Sequence, residues 1–228
     1  MIKFPFGTTA AVLTNLAFRG ALLYFGTEAI KVTATDPGDR RFEGKGIAAR
    51  NALLIGGFSL LLPVLYAVGA RQRAFPWVSD AIFVSIPFLD MAGNSFDLYN
   101  RYGPFDSITH FYGNFAAAAL MTLVLDGDAA HPRVARLLTA SATVSFFHLL
   151  LEMQEYWTDE LFGTHNVEGI LDVEGDLLSG MMGTLTGVAV AATMLSSNIG
   201  DLIRAESVRL RATLQPILSP TDGRNPPR

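Results

Sequence analysis

Carboxylates and imidazoles, with one amide, recur in this chain at spacings of three and four: Asp90, Asn94 and Asp97; Asp106 and His110; His148, Glu152 and Glu155; Asp172 and Asp176. In a helix, such spacing puts each set on one face. Asp, Glu and His form a donor set suited to Mg²⁺, Mn²⁺ or Zn²⁺ rather than to copper or an iron–sulfur cluster. Pairs at i, i+4 on neighbouring helices are how bundles build such sites. Without a cation, so many carboxylates in one place would repel each other and take up protons. The candidate metal ligands are Asp90, Asp106, His110, Glu152, Asp172 and Asp176, with His148 or Glu155 as general base. Arg19 and Arg101, with Asn94 and Asp97, are the candidates for holding a substrate, because guanidinium geometry suits phosphate.

The elements that must position these groups are apolar. Of the 228 residues, 50% are hydrophobic and 17% are charged, where soluble domains average about 25% charged. Apolar runs of bilayer-spanning length, about 20 residues, recur at 8–28, 49–70, 77–98, 106–125, 134–156 and 173–195. The pattern predicts an all-α polytopic transmembrane helical bundle of about six spans over residues 1–197, a short cytoplasmic amphipathic helix over 198–217 and a disordered tail over 218–228. Pro63 and Pro87 fall inside spans, where membrane helices tolerate them. Arg19 interrupts the first apolar run, so a cleaved signal peptide is not expected. There is no cysteine, which removes disulfides and thiolate sites.

Orientation follows from Lys and Arg. One set of ends and loops carries ten of them and the other six, which predicts a multi-pass protein of a bacterial inner (plasma) membrane with both termini cytoplasmic. In that arrangement the polar ends of spans three to six all meet in the extracytoplasmic leaflet. Ionisable groups inside a membrane are read first as functional, and their convergence from four helices is the main signal here.

Plainer readings stand beside this one. Asp106 and Asp172 could cap helices, His148 could be a core histidine, and Glu155 a solvated charge. Tyr99, Tyr102, Tyr112, Tyr156 and Trp157 read as an interfacial aromatic belt. Gly183 and Gly187 match the small-xxx-small pattern that lets helices approach closely. No nucleophile elbow, His-Glu-x-x-His or P-loop is present, and the net charge of -4 argues against nucleic acid as a partner.

The chain resembles small polytopic bacterial membrane proteins of the VanZ-like and YjdF-like groups. The likeness rests on Asp106-Ser-Ile-Thr-His110, Glu152-Met-Gln-Glu155-Tyr-Trp and Asp172-Val-Glu-Gly-Asp176 leading into Gly180, Gly183 and Gly187, in that order, over about residues 85–190. The VanZ-like pattern has Asn where Asp176 stands, so the doubly acidic motif is closer to the YjdF-like group. The resemblance implies a six-span protein with a polar outer-leaflet site, and through the VanZ-like group it points to envelope lipids or peptidoglycan precursors. The expected function is a divalent-cation site that acts on or binds an envelope lipid or lipid-linked phosphate, as a hydrolase or transferase if it is an enzyme. The alternative is a non-catalytic subunit of a larger membrane complex or a proton- or ion-coupled carrier. Expected partners are membrane lipids and a membrane protein or a second copy of the chain.

Overall fold

In the computed structural model, residues 6–69, 75–126, 131–167, 169–194, 201 and 204–208 are described. Among the described residues six long helices run alternately up and down: α1 (Phe6–Thr35), α2 (Ile47–Val68), α3 (Trp77–Ser95), α4 (Phe105–Asp126), α5 (Arg133–Phe162) and α6 (Ile170–Met194). No strand occurs among the described residues. Helices α2, α4, α5 and α6 are long and apolar enough to cross a membrane. The chain is an all-α membrane bundle. Helices α1 and α3 match two expected spans in position but are less apolar, and they carry a buried charge pair. Of the expected amphipathic helix at 198–217, residues 201 and 204–208 are helical. The remainder of that segment and the tail at 218–228 lie outside the described residues.

Small residues set the tightest packing. Helix α6 lies against α4 so closely that a side chain on Gly183 or Gly187 would run into the backbone carbonyls of Phe111 and Phe115. The glycines and the carbonyls they cover are both four apart, so one helix turn of α6 rests on one turn of α4. This matches the close approach expected from the Gly183–Gly187 spacing. Helix α1 packs on α3 through Leu22, Phe25, Val84, Met91 and Ala92.

Helix α2 is interrupted by a π-turn at Ile55–Ser59. Four residues after Ser59 stands Pro63, which has no N–H to give the Ser59 carbonyl. The Arg19 guanidinium takes that carbonyl instead, and it also holds Asn15 Oδ1 at 2.9 Å and the Asp80 carboxylate. Asn15 and Asp80 are fully buried. Arg19 is thus committed to a pair near the start of α3. About ten residues of helix, roughly 15 Å, separate Asp80 from Asp90.

At the end where α3 finishes and α4 begins, two loops cover the bundle. Residues 36–46 fold back over α1, with Phe42 and Ile47 buried against Ala29. Residues 163–167 are organised by Asp159, which accepts the N–H groups of Asn166 and Val167 at 2.8 Å each. The loops join where the His165 N–H donates to the Gly44 carbonyl at 2.7 Å. At the far end, Glu206 reaches the start of α3. Its carboxylate accepts the Val78 and Ser79 N–H groups at 3.2 and 2.9 Å and the Ser79 hydroxyl at 2.8 Å, supplying the cap that Pro76 lacks.

Candidate metal centre

The site is built on His110, one turn inside α4. Its ring has a different set of neighbours at each nitrogen. Nδ1 lies 3.0 Å from His148 Nε2 and 3.2 Å from Glu152 Oε1, and those two atoms are 3.2 Å apart. Nε2 lies 3.5 Å from Asp106 Oδ1 and 3.8 Å from Asp176 Oδ2. Helix periodicity explains the grouping: Asp106 stands one turn before His110, and His148 one turn before Glu152. The close α4–α6 contact brings Asp176 in. Gly180 leaves room for the His148 ring, which a Cβ at that position would strike.

The first trio is the more compact and the more buried. Side-chain exposure is 10% for His110, 4% for His148 and 3% for Glu152, against 37% for Asp106. Glu152 Oε1 is buried and accepts no well-formed hydrogen bond from the described residues, although both imidazoles are near. Three donors held by a tetrahedral ion at about 2.0–2.1 Å stand about 3.3 Å apart. The observed triangle is close to that. A ligating histidine ordinarily gives its other N–H to a carboxylate, which is where Asp106 and Asp176 sit.

A basic and acidic network adjoins the trio. Arg50, at the start of α2, is 3.0 Å from Asp90 and 3.3 Å from Glu155. The Tyr99 hydroxyl donates to Asp90 at 2.8 Å and lies 3.3 Å from the Thr109 hydroxyl. Lys45 approaches Asn94 Oδ1 at 3.3 Å and lies over the Tyr99 ring at 5.1 Å. Burial, reinforced by the Arg50 charge, holds the Lys45 ammonium pKa below its ordinary value.

The expected site residues therefore divide. His110, His148, Glu152, Asp106 and Asp176 come together, and Asp90 and Glu155 join them through Arg50. Asp172 is half-exposed on the first turn of α6, one turn from Asp176. Asn94 is buried and meets Lys45. Asp97 belongs to a separate network, itself buried under exposed arginines: it takes the left-handed conformation (φ 62°) and binds Asn100 at 2.8 Å, Arg101 at 3.0 Å and Arg40. Arg101 is spent there and Arg19 on Asp80, so neither reaches the His110 cluster. Glu155 is buried rather than solvated. Tyr99 and Tyr112 leave the expected aromatic belt, since Tyr99 serves Asp90 and the Tyr112 hydroxyl pairs with Ser85 at 2.6 Å. Sequence reasoning missed Arg50, Lys45, Tyr99 and Asp80. Neither Arg50 nor Lys45 belongs to a spaced acidic or imidazole motif, although both adjoin the acidic end of the spans.

The family described as predicted membrane protein (DUF2238) matches residues 44–197. The chain belongs to this family. The matched stretch contains every residue of the His110 cluster together with Lys45 and Arg50, and it leaves out α1. No curated protein and no solved structure matches the chain.

Proposed function

We propose that the DUF2238 chain holds a divalent cation between α4 and α5, bound by His110 Nδ1, His148 Nε2 and a Glu152 oxygen, and uses it on a membrane lipid or lipid-linked phosphate. The observation that carries this is the triangle of 3.0, 3.2 and 3.2 Å around a buried carboxylate oxygen that accepts no well-formed hydrogen bond. Two imidazoles and a carboxylate favour Zn²⁺ over Mg²⁺ or Mn²⁺. Three protein ligands leave a fourth position for water or substrate, the arrangement of catalytic zinc. Charge balance favours the same reading. Arg50 serves Asp90 and Glu155, while Asp106, Glu152 and Asp176 have only two imidazoles within ion-pair distance among the described residues.

A cation there would neutralise phosphate charge and lower the pKa of a bound water. In the hydrolytic version Glu155 accepts the proton of the attacking water, and Asp106 and Asp176 fix the His110 ring. The roles differ from the sequence-based expectation: His148 becomes a ligand rather than a base, Asp106 and Asp176 support the His110 ring rather than bind the ion, and Asp90, Asp172, Arg19 and Arg101 take no part in holding it. The Lys and Arg distribution supports placing the site in the outer leaflet of a bacterial plasma membrane. The VanZ-like and YjdF-like likeness of the three motifs supports an envelope substrate. A second reading, a proton- or ion-coupled carrier, draws on Asp80, a buried membrane carboxylate whose Oδ1 has no hydrogen-bond partner among the described residues.

Metal analysis by mass spectrometry on detergent-purified protein tests the proposal. About one equivalent of Zn²⁺ or another divalent ion is expected in the wild type, with loss in His148→Ala and Glu152→Gln. A wild type that stays empty after incubation with excess Zn²⁺, Mn²⁺ and Mg²⁺ would overturn it.

A further inference from the structure

The two cations beside the metal cluster are placed differently. Arg50 has two carboxylates. Lys45 has none within ion-pair distance among the described residues, and its one polar contact is the long approach to the Asn94 amide oxygen. An ammonium drawn into a half-buried position without a counter-ion is costly, so the fold must force it there.

The backbone does so. Lys45 sits between Gly44 (φ +71°) and Gly46 (φ +58°), both in the left-handed region that glycine adopts without strain. A Cβ on Gly44 would meet the His165 ring at 3.1 Å, and one on Gly46 would meet the Thr164 methyl at 3.3 Å. The Gly-Lys-Gly turn is thus seated under the 163–167 loop and fastened by the His165–Gly44 hydrogen bond. Its one long side chain crosses the Tyr99 ring into the field of Arg50, which opposes its charge, and of Asp90, Asp106 and Asp97, which favour it, none of the three within ion-pair distance. Gly46 then starts α2 with no side-chain cap, so the first turn of that helix adds partial positive charge on the same side. Arg50 is one turn further on.

From this we infer that Lys45 and Arg50 form the recognition subsite for a phosphoryl anion. Lys45 supplies the free charge, and Arg50 turns one guanidinium edge from Glu155 to the anion. Loss of that contact leaves Glu155 unpaired next to Glu152, where the proposed hydrolysis needs a base. The inference deepens the proposed function and rests on it for what happens to the bound phosphate, though not for the binding itself.

The test uses the full chain with two probes: inorganic phosphate in detergent, and phosphatidic acid in nanodiscs of otherwise zwitterionic lipid. Each is measured with Zn²⁺ and with chelator. Binding of either probe, about tenfold or more weaker in Lys45→Gln and recovered in Lys45→Arg, supports the subsite. Binding of both identifies the phosphoryl group as the recognised part, and binding of phosphatidic acid alone identifies a lipid. Arg50→Lys, which keeps a charge opposite Asp90, is expected to weaken binding as well. If neither probe binds, or if Lys45→Gln binds as the wild type does, the inference is overturned. Metal content read on the same samples separates the two proposals. Lys45-dependent binding in a protein that takes up no metal would sink the metal centre alone. A metal-loaded protein indifferent to Lys45 would sink the subsite alone.

Discussion

Pro63 withholds a hydrogen bond from the Ser59 carbonyl, and Arg19 supplies one from another helix. The same guanidinium neutralises Asp80, which has no other charged partner among the described residues. Removing one member of a buried pair leaves the other charge uncompensated, typically at 3–5 kcal/mol, whereas replacing both with apolar residues is often neutral. Arg19→Leu is therefore expected to destabilise by about 3–5 kcal/mol. Arg19→Leu with Asp80→Leu should recover most of that loss in thermal unfolding in detergent. A double variant as unstable as the single one would mean that the Ser59 carbonyl, not Asp80, is what Arg19 serves. At the proposed metal site, Asp176→Asn keeps the shape but removes the negative charge 3.8 Å from His110 Nε2. Metal affinity in that variant should fall about 10–100-fold in a titration with Zn²⁺, with the fold intact.

Helices α4 and α5 carry the trio, and α6 brings Asp176 to it because α4 and α6 touch at glycine. Gly183→Ala pushes a methyl against the Phe111 carbonyl, which cannot swing aside as a side chain can. The helices must separate, an overpacking cost of about 1–3 kcal/mol, and Asp176 must move away from His110. Gly180→Ala meets the His148 ring and the Asn114 amide instead, and both can rotate. The two substitutions should differ in kind: Gly183→Ala lowers the melting temperature, while Gly180→Ala chiefly lowers metal occupancy. Equal melting temperatures for Gly183→Ala and wild type would contradict the packing described. This element was legible in the sequence, because small residues four apart in an apolar run have few other uses. The acidic and imidazole motifs were legible for a similar reason, since intramembrane charge is expensive. The partners of those motifs were not. Arg50 and Lys45 stand at a boundary between loop and helix, where sequence alone does not say whether a basic side chain turns to water or into the bundle. The division of His110 into a trio on one nitrogen and a pair on the other depends on ring orientation, which spacing does not encode.

Across the molecule, among the described residues, Asp80, His148 and Glu152 are buried within helices, while ion pairs fasten the 36–46 loop over the site. Hydrogen bonding from Asn100, with the Arg40 guanidinium, holds the Asp97 carboxyl below its ordinary value of 3.8, and Arg41 does the same for Asp39. For an acid whose folded pKa is lowered, the stabilisation is fully present above the unfolded value and is lost as pH falls through the folded one. The 36–46 loop should thus stay closed at neutral pH and loosen below about pH 4. Hydrogen exchange of that loop at pH 6 and pH 3, corrected for intrinsic rates, checks this. Equal protection at both would show that the buried Phe42 and Ile47 hold the loop unaided.

Glu206 gives the molecule an order in time. The first turn of α3 is closed by a carboxylate 127 residues later in the chain. At about 5–20 residues per second of synthesis, the start of α3 waits on the order of ten seconds for its cap. During that interval α4, α5 and α6 have all been made, and α3 holds that end by packing, with Val78 and Ile82 against Leu123 of α4 and Ala191 of α6. The arrival of residue 206 is then a fastening step, in which a late segment of the chain secures the beginning of its third helix.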